Sequence, residues 1–408
     1  MSGPVLLDIS RLISRAARPT PSGIDRIELA YAEHLLVRIP GRIGFVAMND
    51  AGEIAPIGAG VARQLVTTLA RQWRTPDAQG KAARRAGWWA RLSALAPARQ
   101  HRSAGRAIYI HVSHQNLHHP ERFARLKAKT GAAFLFLVHD LIPIEFPEYA
   151  RPGQAERHRR RIDTICTLAD GIIANSAATA SAIAPFLSRA GRSIPVIVAH
   201  PGAEFPETHT TPHTTTQTTP QTTPQPATPP YFVCIGTIEP RKNHLLLLQL
   251  WRRLAEHSTA PPKLHLVGQR GWENEMVVDM LERCAALDGL VVEHRGLPDH
   301  ALRPLLAGAC ALLNPSFAEG YGMPVAEALA QRVSVLCSDL PVFREVGGDV
   351  PEFLDPLDGP AWLRAITDYA QPASPRRMAQ LVRMPSWHAP GWPQHIDAVM
   401  DLVAQVGG

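Results

Sequence analysis

The sequence predicts an α/β protein built of two doubly wound, parallel-sheet domains. Three observations point there. Short apolar runs recur along the chain, separated by segments of helical spacing, and this alternation is the mark of parallel sheets covered by helices. A stretch made almost wholly of Thr, Pro and Gln, 208–230, parts the chain into halves. Several of the apolar runs end in glycine-bearing or basic loops, and in such sheets ligands bind beyond the carboxyl ends of the strands.

Composition narrows the classes. The chain has 408 residues, 45% of them hydrophobic, enough for two domains with a core each. The formal net charge is a modest +6. No apolar stretch approaches the ~20 residues of a spanning helix. The first residues lack a basic region followed by a long apolar one, so no signal peptide is expected, and the expected place is the cytoplasm or the inner face of its membrane. The cysteines Cys166, Cys234, Cys284, Cys310 and Cys337 are scattered without metal-ligand spacing, which suits reduced core residues. No metal or other cofactor is expected.

Residues 5–9 form a first apolar run, followed by a basic, polar stretch over 11–21 expected as a loop. Ser22 then suits a helix N-cap, with Ile27, Ala30, Tyr31, Leu35 and Leu36 at helical spacing behind it. Gly23 at that helix start permits the close approach of a phosphate, although a single glycine is all the segment offers. Residues 61–106 carry Arg63, Arg71, Arg74, Lys81, Arg84, Arg85, Arg91, Arg99, Arg102 and Arg106 against one acid, Asp77. Trp73, Trp88 and Trp89 are interleaved. Such chemistry serves an anionic membrane surface, a nucleic acid, or simply a solvated basic helix pair with its tryptophans inward. Between the first two, peripheral membrane contact is favoured and nucleic acid is not expected, because the remainder of the chain points to sugars.

The runs 107–112 and 132–138 suit buried parallel strands. The second gives way to His139 and Asp140, a pair well placed for function at a strand's carboxyl end. A helix over 154–168, a strand over 171–174 and a last strand over 194–199 complete the first half. The low-complexity stretch cannot bury a core and is expected to be a linker, assigned to 207–230 between a first domain, 1–206, and a second, 231–386. Strands of the second domain are expected at 231–235, 263–267, 290–293, 309–313 and 333–336. The first of these leads to Arg241 and Lys242 just ahead of a helix, a natural diphosphate clamp of one bidentate fork and one point charge. Gly268 and Leu297 follow two further strands on the same edge.

The fourth strand leads into the most informative stretch, Glu319, Gly320, Tyr321, Gly322, Met323 and Pro324, with Glu327 beyond. Pro324 suits the first turn of a helix. The amides of Tyr321, Gly322 and Met323 then lie at its positive end, where phosphate is attracted, and glycines allow close approach. Phosphate repels carboxylates, so Glu319 and Glu327 should serve hydroxyls. A nucleotide sugar offers both phosphates and hydroxyls.

Glu319, seven residues, then Glu327, framed by Pro315, Ser316, Gly320 and Pro324, resembles the paired-glutamate motif of retaining GT-B glycosyltransferases, family 4 in particular. The segments around Arg241–Lys242–Asn243 and His139–Asp140–Leu141–Ile142–Pro143 resemble that family too. The likeness covers nearly the whole second half and, in the first, chiefly 139–148. It implies that Glu319 lies at the donor sugar, Glu327 holds the ribose, and Arg241 and Lys242 neutralise the leaving diphosphate with the amides of Gly320, Tyr321, Gly322 and Met323. It implies that His139 contacts the sugar, that Asp140 lies toward the acceptor, and that the base sits near Leu297 and Gly268. It also implies a GT-B fold, two Rossmann-like domains facing each other across a cleft, with a carboxyl-terminal helix, 387–408, that packs back on the first domain. The expected reaction is metal-independent transfer of a hexose, with retention, from a nucleotide diphosphate sugar to a hydroxyl of a lipid-linked or growing surface glycan. Likeness to bacterial mannosyltransferases of surface polysaccharide assembly favours GDP-mannose. A nucleotide-sugar epimerase or hydrolase of the same fold, or a non-catalytic membrane-bound scaffold, are the alternatives.

Overall fold

Each apolar run singled out above coincides with, contains or overlaps a strand. The computed structural model describes residues 3–49, 51–74, 81–94, 105–203 and 229–407. The linker assigned to 207–230 lies outside them but for its last two residues. The chain forms two units, Met1–Gly202 with Gly391–Gly408, and Ala203–Pro390.

The first unit runs β1 (Val5–Asp8), α1 (Ser10–Arg15), α2 (Gly23–Arg38), β2 (Ile43–Met48), β3 (Ile54–Ile57), α3 (Ala59–Arg74), α4 (Lys81–Ser93) and β4 (Ile108–His111). It continues through α5 (Pro120–Thr130), β5 (Ala133–Val138), α6 (Ile142–Glu145), α7 (Gln154–Leu168), β6 (Gly171–Ala174), α8 (Ala177–Arg189) and β7 (Val196–Val198). The sheet order is β3-β2-β1-β4-β5-β6-β7. All pairs are parallel save β2–β3. Period-two geometry sorts β5 between two cores: Ala133, Leu135 and Leu137 face one cluster, Phe134, Phe136 and Val138 the other.

The second unit runs β8 (Tyr231–Ile235), α9 (His244–His257), β9 (Lys263–Val267), α10 (Glu275–Arg283), β10 (Val291–His294), α11 (Asp299–Ala307) and β11 (Ala311–Asn314). Then come α12 (Met323–Ala330), β12 (Val335–Ser338), α13 (Pro341–Gly347), β13 (Glu352–Leu354), α14 (Gly359–Tyr369) and α15 (Pro375–Arg383). Its sheet, β10-β9-β8-β11-β12-β13, is wholly parallel. Phe232, Leu264, Leu313 and Leu336 share one core with Trp251 of α9 and Trp362 of α14. The last helix, α16 (Trp392–Gly407), buries Ile396, Val399, Leu402 and Val403 in the core of the first unit. His395 on it lies 2.7 Å from the Tyr31 hydroxyl of α2.

Three departures have physical causes. The basic stretch expected as a loop over 11–21 begins as helix α1, because Leu12 and Ile13 bury themselves while Arg11 and Arg15, half-buried, reach the Asp25 carboxylate. The hairpin β2–β3 went unassigned: β3 carries Pro56, tolerable because this is the sheet's edge. The edge strand β13 is only three residues long and gives too short a pattern to register.

Helix α2 begins as expected at Ser22, whose hydroxyl accepts from the Asp25 amide while Asp25 accepts from the Ser22 amide. The reciprocal pair satisfies donors that every helix start leaves open. Replacing Ser22 by Ala should cost about 1 kcal/mol, read as a lower urea midpoint, whereas Ser22→Gly should cost only a few tenths.

Candidate functional site

In the second unit the strands' carboxyl ends lie side by side, and the sheet order places the singled-out residues along one edge. Leu297 follows β10, Gly268 follows β9, Arg241 and Lys242 follow β8, and Glu319 to Glu327 follow β11. Backbones there run close. A Cβ on Gly268 would lie 1.9 Å from the Gly236 carbonyl oxygen, so no side chain fits.

Glu319 is the hub of this edge. Its carboxylate takes the Lys242 ammonium on Oε1 and the Arg241 guanidinium, at 2.8 Å, on Oε2. The Ser316 hydroxyl lies 2.8 Å from Oε1 and 2.7 Å from Asn314 Oδ1, within reach of either. Burial alone would raise the Glu319 pKa, but Arg241 and Lys242 outweigh it and hold it down at about 2. Arg241 is fixed further by Glu239 at 2.6 Å and by the Ala318 carbonyl at 2.9 Å. The 3-10 turn Pro240–Lys242 sets both cations side by side, and the Arg241 carbonyl accepts from the Phe317 amide, tying this turn to the loop that carries Glu319. A side chain at Gly236 would crowd Lys242, its Cβ 3.2 Å from Cε.

Helix α12 starts at Met323 with Pro324 in its first turn, as the sequence implies. Gly322 caps it at φ 96°, and a Cβ there would meet Phe343 at 2.6 Å. Tyr321 is buried beside it and Gly320 precedes it in the loop. Glu327, one turn in, is buried too, so it is no solvated helix glutamate. The sequence reading gave Glu239, Ser316 and His244 no role. His244, the first residue of α9, is buried, and its pKa is pushed down to about 3 by burial and by Lys242 and Arg241. The signal for Glu239 was its place two residues before Arg241.

In the first unit His139 follows β5 and is buried. Its Nε2 lies 2.7 Å from the Val112 carbonyl oxygen, which can only accept, so the ring proton sits on Nε2. Burial lowers its pKa to about 4, leaving a neutral ring whose Nδ1 is an acceptor. The His114 ring packs edge-on at 5.1 Å. Asp140 is half-buried, and its Oδ1 accepts from the Ile142 amide at 3.2 Å. Gly23 is exposed, with nothing within 4 Å of where its Cβ would be. The start of α2 already holds a negative charge, the Asp25 carboxylate, which also takes Arg11 at 2.6 Å. Gly23 therefore offers a phosphate less than the start of α12 does.

Beside β1 lies Glu28 of α2, wholly buried, its Oε1 accepting from the Leu12 amide at 3.1 Å. Burial first, and the Asp8 charge next, push its pKa up to about 8 from 4.5. Between those values the folded chain keeps a proton that the unfolded chain has released, so stability falls as pH rises through that window and levels off above it. Glu28→Gln mimics the protonated acid, and its urea midpoint should change less between about pH 5 and 8 than that of the parent.

Residues 215–350 match the family described as Glycosyl transferases group 1. The O-antigen chain mannosyltransferase B of Escherichia coli is 37% identical over 149 residues, 36% of this chain and 39% of that relative's length. The chain thus spans well under half of that relative. The sucrose-phosphate synthase of Thermosynechococcus elongatus superposes with a TM-score of 0.62 at 15% identity, covering 99% of both chains. Anabaena HepE, solved in complex with UDP-glucose, gives 0.56 at 14% identity, covering 98% of this chain and 99% of that one. Residues 215–350 are thus similar to a glycosyltransferase group 1 domain, and the chain has the two-domain fold of the GT-B glycosyltransferases it superposes on.

Proposed function

We propose that the protein is a retaining, metal-independent glycosyltransferase that moves a hexose, mannose before others, from a nucleotide diphosphate sugar to a hydroxyl of a lipid-linked or growing surface glycan. The observation that carries this is the pairing of Arg241 and Lys242 with Glu319 at the sheet edge, beside the glycine-capped start of α12. The mannose preference rests on the mannosyltransferase relative, and retention rests on the resemblance of the Glu319–Glu327 motif.

Cleaving the anomeric bond leaves positive charge on the sugar and negative charge on the departing diphosphate. Arg241, Lys242 and the first-turn amides of α12 stabilise that anion as it forms, and Glu239 and Glu319 hold the two cations in position beforehand. The cations and the helix end supply the charge that a metal would otherwise bring. Glu319 accepts from sugar hydroxyls once the diphosphate draws the cations toward itself. Glu327 accepts from the ribose, and the segments at Leu297 and Gly268 border the base. His139, neutral with its proton on Nε2, presents Nδ1 to a hydroxyl of the transferred sugar, and Asp140 serves the acceptor side. The leaving diphosphate itself takes the acceptor proton on the face it departs from.

The purified protein incubated with GDP-mannose and, separately, UDP-hexoses, with and without a membrane extract, should release nucleoside diphosphate with the mannose donor and only with acceptor. Release without acceptor would point to a hydrolase, and no release with any donor would overturn the reading. Lys242→Ala and Glu319→Ala should each lower kcat/KM by roughly 10²–10³-fold. The anomeric coupling in the product's NMR spectrum reports whether configuration is retained.

A further inference from the structure

Helices α3 and α4 differ in what they bury. Helix α3 buries Leu65, Val66, Leu69 and Trp73 and shows Arg63, Gln64 and Thr67 to solvent, the usual division. Trp73 is fixed inside, its Nε1 donating to the Arg18 carbonyl at 3.1 Å. Helix α4 reverses the order. It buries only Ala83, Ala86, Gly87 and Ala90, packed so tightly on α1 that a Cβ on Gly87 would lie 2.7 Å from the Ala16 Cβ. Its bulky apolar residues point out: Trp88 is 56% exposed, Trp89 51% and Leu92 38%. The two indoles meet edge to face at 5.0 Å, a single apolar ridge. Lys81, Arg85 and Arg91 are exposed around it, and α3 and α4 hold no acidic residue. Exposed tryptophans cost solvation that folding alone gives no reason to keep.

We propose that α4 is a docking surface for an anionic phospholipid membrane, with Trp88, Trp89 and Leu92 entering the headgroup layer and Lys81, Arg85 and Arg91 meeting the lipid phosphates. Charge complementarity selects this occupant. A ridge of tryptophan on a helix whose charged residues are all cations matches a negative interface with an apolar floor, the pattern of helices that lie in the plane of a membrane. The tight seat of Ala83, Gly87 and Ala90 holds the ridge rigid, so little ordering entropy is lost on docking. No helix among the described residues is long and apolar enough to cross a membrane, so contact of this kind would be peripheral. The inference stands on packing and charge, and vesicle binding is read without any transfer reaction, so its failure and that of the transferase reading are distinguishable.

The full chain should co-sediment with phosphatidylcholine vesicles containing phosphatidylglycerol and far less with phosphatidylcholine alone, and added salt should release it. The double variant Trp88→Ser/Trp89→Ser should melt as the parent does and bind the anionic vesicles roughly tenfold more weakly, as should Arg85→Glu/Arg91→Glu. Parent protein that ignores anionic vesicles, or a serine variant that binds them equally, would overturn the proposal. So would a blue shift of the Trp88/Trp89 emission that follows protein concentration without lipid, which would mean a second copy covers the ridge. Binding of single-stranded RNA in place of vesicles would overturn it as well.

Discussion

The carboxylate of Glu319, buried and held between Arg241 and Lys242, is the interaction on which the candidate donor site depends. An ion cluster taken out of water is stable only if its partners replace the lost hydration, and here they do. Glu319 gains Lys242, Arg241 and the Ser316 hydroxyl, and Arg241 gains Glu239 and a carbonyl besides. Two cations thus face two carboxylates, and the cluster is formally neutral before any ligand arrives. An arriving diphosphate would compete with Glu319 for the cations, and hydroxyls of the attached sugar would repay Glu319 with donors. A molecule carrying both groups suits the cluster better than a bare phosphate, which would leave the carboxylate buried with fewer partners.

Parallel sheets explain why such chemistry gathers at one edge. All strands of the second sheet end on the same side, so loops far apart in sequence, after β8, β9, β10 and β11, become neighbours. Close packing is possible because glycine stands where a Cβ would collide, at Gly268 against the Gly236 carbonyl and at Gly322 against the Phe343 ring. Helix starts face that edge as well, so their positive ends add to the cations.

The first unit works with neutral polarity where the second works with charge. His114 after β4, His139 after β5 and His158 of α7 cluster together, all with pKa values lowered by burial. Neutral rings can accept hydrogen bonds from hydroxyls, which cationic rings cannot. Glu28, kept protonated by burial up to about pH 8, extends the same economy of charge to the core beside β1.

Much of this was legible in the sequence because period and composition encode it directly. Continuous apolar runs marked nearly every central strand, since a strand covered on both faces needs no polar residue. Ser22 and Pro324 announced their helix starts through local chemistry. The spacing of Glu319 and Glu327 and the adjacency of Arg241 and Lys242 were visible because loop and helix hold them at fixed offsets. What the sequence left open depends on partners distant along the chain. That Arg241 and Lys242 share Glu319, 78 and 77 residues away, follows only from β8 and β11 lying side by side. The proton on His139 Nε2 is set by the Val112 carbonyl, and the Asp25 carboxylate that caps α2 beside Gly23 also takes Arg11. Whether the tryptophans of the basic segment face in or out could not be told from periodicity, because α4 buries alanine and glycine. Only the packing of α1 against Gly87 decides it, turning Trp88 and Trp89 outward.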